Sequence, residues 1–137
     1  MKDGDILKVL QRAVMAAIEA SPLVTSEFPV KYVGRSFEVP DNQKWLELIV
    51  IPNNHSDHWG DEKNYAGVFR IILHWPNDDQ GSYEPIKVLG SITSYFTKGL
   101  FLQNVQIYET PNLTGVLEQG NETLYPASIR YQSFRQE

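Results

Sequence analysis

The densest group of chemistry-bearing side chains is His55, Asp57, His58, Asp61 and Glu62. Imidazole and carboxylate together can hold a divalent metal such as zinc or manganese. The spacing argues against it. His55 and His58 sit three apart in a stretch rich in Asn, not four apart on one helix face as in a zinc hydrolase, and no third fixed ligand is evident. His and Asp also suit solvated turns, which is the plainer reading. Trp59 lies at the tip of the same stretch. A Trp in a polar loop is costly to leave in water, so it either docks into a partner or folds back on the body of the protein.

His74 stands beside Trp75 in an apolar run and invites the role of general base. A histidine so placed is more often a core or interface residue with one hydrogen bond satisfied. Asp78-Asp79 follow Trp75-Pro76-Asn77. They read as a turn feeding a helix, where acids meet the positive end of the dipole, before they read as a catalytic carboxylate pair. Ser91, Thr93 and Ser94 have no acid–base pair near them in sequence. No Gly-x-Ser-x-Gly, Walker loop or dinucleotide fingerprint occurs. The chemistry-bearing residues therefore define no catalytic set, and no cofactor is implied.

Composition narrows the field further. There are no cysteines, which removes disulfides, Cys-based zinc sites, iron–sulfur clusters and a thiol nucleophile, and fits a reducing compartment. Twelve Lys and Arg against 17 Asp and Glu give a net charge of −5. A net-acidic domain lacks the general signature of a nucleic-acid binder, although Lys31-Tyr32-Val33-Gly34-Arg35 mixes basic and aromatic character. The first residues do not have the form of a secretory signal, and the longest apolar runs are far short of the ~20 residues that span a bilayer. Asn-x-Ser/Thr triplets at Asn54, Asn112 and Asn121 then read as chance.

The positioning elements follow from periodicity. Ile6, Leu7, Leu10, Ala13, Val14, Ala17 and Ile18 recur at helical spacing, with Asp3 or Asp5 as cap and Ser21-Pro22 as stop. Residues 29–33 form a short strand. Trp45–Ile51 and Val68–Trp75 are nearly continuous in apolar character, ended by Pro52 and Pro76, and read as central strands covered on both faces. Between them residues 53–64 make a polar connection longer than a hairpin needs. A second helix is expected over 82–98, capped by Ser82 or Gly81, with Ile86, Leu89, Ile92 and Phe96 as its buried stripe and Gly99 as stop. Strands are expected at 105–108, 114–117 and 124–134, the last alternating between apolar and polar residues.

A chain of 137 residues and 15.7 kDa fits one domain, 1–137, with three Trp, seven Tyr and six Phe among its core formers. Two amphipathic helices each have one stripe to bury, and a sheet offers a face for both. The expected fold is α+β: two layers, a mainly antiparallel sheet, two amphipathic helices on one face. The other face must be polar or covered by another chain. Trp45, Phe69, Trp75 and Tyr131 are candidates to crowd it, which favours an oligomer.

The residues also carry a resemblance. Val30-Lys31-Tyr32-Val33-Gly34-Arg35-Ser36-Phe37, Pro40, Trp45-Leu46-Glu47 and Ile51-Pro52-Asn53-Asn54 resemble the small tail-completion proteins of tailed bacteriophages and prophages. So do Trp59-Gly60-Asp61-Glu62, Tyr65, Gly67, Phe69-Arg70, Leu73-His74-Trp75-Pro76-Asn77-Asp78-Asp79, Tyr95-Phe96 and the segment from Tyr125 to Tyr131. The family is the tail terminator-like group, similar in expected fold to the lambda-type tail terminator. The resemblance implies a structural protein and no enzyme: a hexameric ring of this chain on the tail tube, ending polymerisation of the tube protein and presenting a surface to a head–neck connector. It implies no membrane, no sequence-specific nucleic acid and no cofactor, with assembly in the host cytoplasm and residence in the virion tail. His55, Asp57, His58, Trp59, Asp61 and Glu62 are then candidates for partner or subunit contacts. The alternatives are another head–tail joining protein, or a metal-dependent enzyme using the 53–64 loop.

Overall fold

The computed structural model describes residues 3–52, 56–57, 62–79 and 81–136. In chain order the elements are α1 (Asp3–Ala20), β1 (Val30–Lys31), β2 (Trp45–Pro52), β3 (Ser56–Asp57), β4 (Glu62–Pro76) and α2 (Tyr83–Thr93). Then come β5 (Phe101–Leu102), β6 (Val105–Ile107), β7 (Asn112–Leu113), β8 (Leu117–Gln119) and β9 (Glu122–Gln136). One sheet runs β1-β2-β4-β9-β6-β5, with β3 on β4 and β7 and β8 on β9. Its spine is the antiparallel pair β4–β9, in register over all 15 residues from Glu62↔Gln136 to Pro76↔Glu122. Every pairing is antiparallel except β1 with β2.

Register sorts the side chains onto two faces, because successive residues of a strand point opposite ways. Leu46, Leu73 and Tyr125 share one row, Leu48, Ile71 and Ala127 the next, and Val50, Phe69 and Ile129 the third. This face meets both helices in one core, with Ile6, Leu10, Val14 and Ile18 of α1 and Val88, Leu89 and Ile92 of α2. The two-layer α+β arrangement with both helices on one face is therefore the observed one. Phe69, Trp75 and Tyr131 belong to this inner face. Of the four aromatics expected on the outer face, only Trp45 lies there, since β2 pairing sets Trp45 opposite His74, one residue out of phase with Leu73.

Among the described residues no further layer covers the outer face, contrary to the reading of β2 and β4 as doubly buried. Ile49, Val68 and Ile72 are half-buried there and Ile51 is exposed. Polar pairs are interleaved: Arg70 Nε donates to Ser128 Oγ (3.4 Å), Gln132 Nε2 donates to Gln106 Oε1 (3.1 Å), and Arg130 meets Glu109 at 3.1 Å. Aliphatic character along these strands reflects β propensity and half-burial rather than a second core.

Three boundaries differ from the periodic reading. Glu62, Lys63 and Asn64 open β4 rather than close a loop, because β9 supplies partners for them all. α2 ends at Thr93, not near Lys98. There Ser91, Thr93 and Ser94 donate their hydroxyls back to Val88, Gly90 and Ser91 carbonyls, and Tyr95 and Phe96 N–H bond three residues back. The tightened turn drops Phe96 into the core against Phe69, ring centroids 6.2 Å apart. The stripe of α2 also rotates: Val88 is buried and Ile86 is 41% exposed. The weak strand expected at 114–117 is instead two short ones, β7 and β8, on either side of it.

Candidate functional site

Outside the described residues fall His55, His58, Trp59 and Asp61. Asp57 and Glu62 have described backbones, in β3 and at the start of β4. β3 pairs with β4 through Ser56↔Asn64 and Asp57↔Lys63, so this stretch continues the sheet as a narrow ribbon. Among the described residues no group of three His, Asp or Glu side chains is arranged to hold a metal.

The constellation that the fold does assemble centres on His74. Its Nδ1 lies 2.9 Å from Glu122 Oε1 and its Nε2 lies 2.9 Å from Glu47 Oε1. The imidazole ring stacks on Trp45, centroids 3.7 Å apart and planes 8° from parallel. Phe37 packs on the far side of Trp45, at 4.9 Å. Both His74 and Trp45 are buried, while the two carboxylates reach solvent at their edges. Only a doubly protonated ring donates to both carboxylates at once. In either protonation state the imidazole lies flat on the indole and is held between the two carboxylates.

Sequence reasoning expected one satisfied nitrogen on His74; the structure satisfies two. A general base needs a ring nitrogen open to substrate, and here both are engaged. The arrangement instead ties three strands together on the outer face: Glu47 from β2, His74 from β4, Glu122 from β9. Neither glutamate was legible as a partner, because they lie 27 and 48 residues away. Trp45 Nε1 is buried and has no hydrogen-bond partner among the described residues.

Nearby, Asp78 and Asp79 are exposed in the turn before α2, as the turn reading requires. Asn77 anchors that turn: its N–H donates to Asn121 O (2.8 Å) and its Oδ1 accepts from Thr123 Oγ1. Ser82 is the residue at the α2 N-cap, but its hydroxyl makes no capping bond and lies 2.8 Å from Tyr125 Oη instead. Ser91 gives its proton to Val88 O, so Ser21 Oγ donates to Ser91 Oγ at 2.6 Å, locking the end of α1 to α2. Lys44 Nζ sits 4.3 Å from the Trp75 ring centroid.

On the helix-bearing face of the sheet, Tyr32 and Arg35 follow β1, the guanidinium 5.5 Å from the ring centroid. Burial raises the Tyr32 hydroxyl above the usual tyrosine range, and the Arg35 charge pulls it the other way.

These features define a class: a small two-layer α+β domain whose polar groups brace its sheet and whose helices cover only one side. A family model described as phage tail terminator protein matches residues 9–131, and the chain belongs to that family. It is a structural protein of the phage tail. Among curated proteins none matches significantly. A solved structure bearing only a sequence identifier superposes with a TM-score of 0.78 at 21% identity, covering 97% of this chain and 96% of that one. At that identity the likeness is one of fold. No helix among the described residues is long and apolar enough to cross a membrane.

Proposed function

We propose that the protein closes as a ring, a hexamer of identical subunits, on the end of the tail tube, stops addition of tube protein, and offers its opposite face to a head–neck connector. The observation that carries this is the family match across residues 9–131. Physically, termination needs affinity for the tube end on one ring face and no tube-like surface on the other. A closed ring further needs two different patches per subunit. Assembly takes place in the host cytoplasm, the product sits in the virion tail, and neither a cofactor nor sequence-specific DNA contact is required.

Residues His55, Asp57, His58, Trp59, Asp61 and Glu62 supply contacts to the tube or to a neighbouring subunit. Support comes from the backbone around them. β2 stops at the Pro52↔Gly67 pair, while β4 and β9 stay paired for five further rungs, to Glu62↔Gln136. At ~3.4 Å per residue that ribbon reaches about 17 Å beyond β2.

Purified tail tubes test the reading. Added protein should give one ring at one tube end by electron microscopy and block elongation by further tube subunits. Tubes that bind the protein yet keep growing would overturn it. A protein that binds connectors and ignores tubes belongs to another part of the neck. Trp59→Ala should keep the circular dichroism spectrum and lose capping; unchanged capping removes the 53–64 segment from the interface.

A further inference from the structure

A cleft of about 270 Å³ lies between α1 and the segment after β1, lined by Lys8, Gln11, Arg12, Met15, Tyr32 and Arg35. Lys8 and Arg12 are one turn apart on the same helix face, where like charges repel. Among the described residues no carboxylate forms an ion pair with Lys8, Arg12 or Arg35. In a chain with a net charge of −5, three cations are thus gathered around one opening without an anion. Met15, 53% exposed, gives the cleft an apolar wall.

The complementary surface lies at the other side of the sheet. No Lys, Arg or His occurs from Gly99 to Ile129. Within that stretch Leu113, Val116 and Leu117 are exposed, Leu117 at 59%. Glu118 follows them in β8 and has no ion-pair partner among the described residues, whereas Glu109 and Glu122 are engaged by Arg130 and His74. β8 pairs with β9, and β1 ends the sheet on the other side, with β2 and β4 between β1 and β9. The cleft and the acidic–apolar segment are therefore separate patches of one chain.

We infer that the 113–118 segment of one copy seats in the Lys8–Arg12–Arg35 cleft of the next, Glu118 against the cations and Val116, two residues before it and 47% exposed, against Met15. The contact is head-to-tail, the kind that closes a ring. The inference rests on the ring reading and names its subunit contact. The occupant is a second copy because the chain itself carries the matching pair of charge and apolar surface. A shielded charge pair of this kind governs which partner is accepted and in which register.

The absence of native cysteine makes the test clean. A full-length chain carrying Met15→Cys is mixed with one carrying Val116→Cys under mild oxidation, both free at high concentration and on tube ends. A disulfide forms only where Cα atoms come within about 7 Å. The mixed dimer should dominate over either homodimer. Adding Arg12→Glu to the first chain should lower its yield about tenfold, and Glu118→Arg in the second should restore it. No mixed dimer in either setting, equal homodimers, or a yield blind to charge reversal each overturns the assignment. So does a cleft that binds duplex DNA through Arg12 while giving no cross-link, which would make it a polyanion site. Capped tubes without the cross-link leave the ring reading standing and sink this contact. The cross-link without capping does the reverse.

Discussion

The ring of Tyr131 lies across the backbone of Gly67, its direct partner in the β4–β9 ladder, in the space where a side chain at 67 would begin. A β-carbon there would come within 2.6 Å of Tyr131 Oη and 2.7 Å of Ile51 O. One of those atoms is backbone and the other ends a fully buried ring, so neither gives way cheaply. The close approach occurs where β2 ends and the β4–β9 ribbon continues beyond it.

Gly67→Ala should therefore destabilise the fold by about 1–3 kcal/mol, the usual cost of forcing extra volume into a packed site. Urea unfolding measures it. Tyr131→Phe combined with Gly67→Ala should recover part of the loss, since the phenolic oxygen is the nearest obstacle. No loss in the single variant would mean that the strands separate freely at this rung.

His74→Ala should cost about 2–3 kcal/mol, the scale of losing charge-assisted hydrogen bonds together with the carboxylates they satisfied. It leaves Glu47 and Glu122 near one another without the group between them, and uncovers one face of Trp45. Adding Glu47→Gln and Glu122→Gln should return part of that stability. If the two amides make no difference in the His74→Ala background, the histidine is not what reconciles the carboxylates. Near-ultraviolet circular dichroism of Trp45 gives an independent readout.

Gly90 runs the other way. It sits inside α2 with nothing within 4 Å of where a β-carbon would be, so Gly90→Ala should stabilise by roughly 0.5–1 kcal/mol through the lower entropy of the unfolded chain. A rise in thermal midpoint is the expected result; a fall would show that helix geometry there needs glycine.

Tyr32 predicts an alkaline limit. Burial holds its hydroxyl above the ordinary range, so the native state keeps this proton more tightly than the unfolded chain does. That contribution is complete below about pH 10 and is lost as pH climbs through the raised native value. Tyr32→Phe should flatten the fall in stability over that window. An unchanged slope would assign the alkaline loss to other groups.

Local order was legible in the residues. The stripe from Ile6 to Ile18 specifies α1 because each turn of helix sees only its own few neighbours. The β-rich runs at 45–51 and 68–75 specify strands for the same reason, and two one-sided helices beside a sheet leave few architectures. The terminator resemblance likewise rested on short motifs. The tertiary structure decided what depends on register. With β4 held in place, a shift of one residue in its pairing with β2 would exchange Trp45 with Leu46 between the faces and take the indole off His74. Which aromatic faces outward, which glutamates find His74 and why position 67 bears no side chain are set by pairing between residues tens of positions apart. The early end of α2 belongs there too, because Phe96 leaves the helix for a core cavity beside Phe69 that exists only once the sheet is formed. Sequence periodicity reports the face each residue wants; only the summed burial of all strands at once selects the register that satisfies most of them.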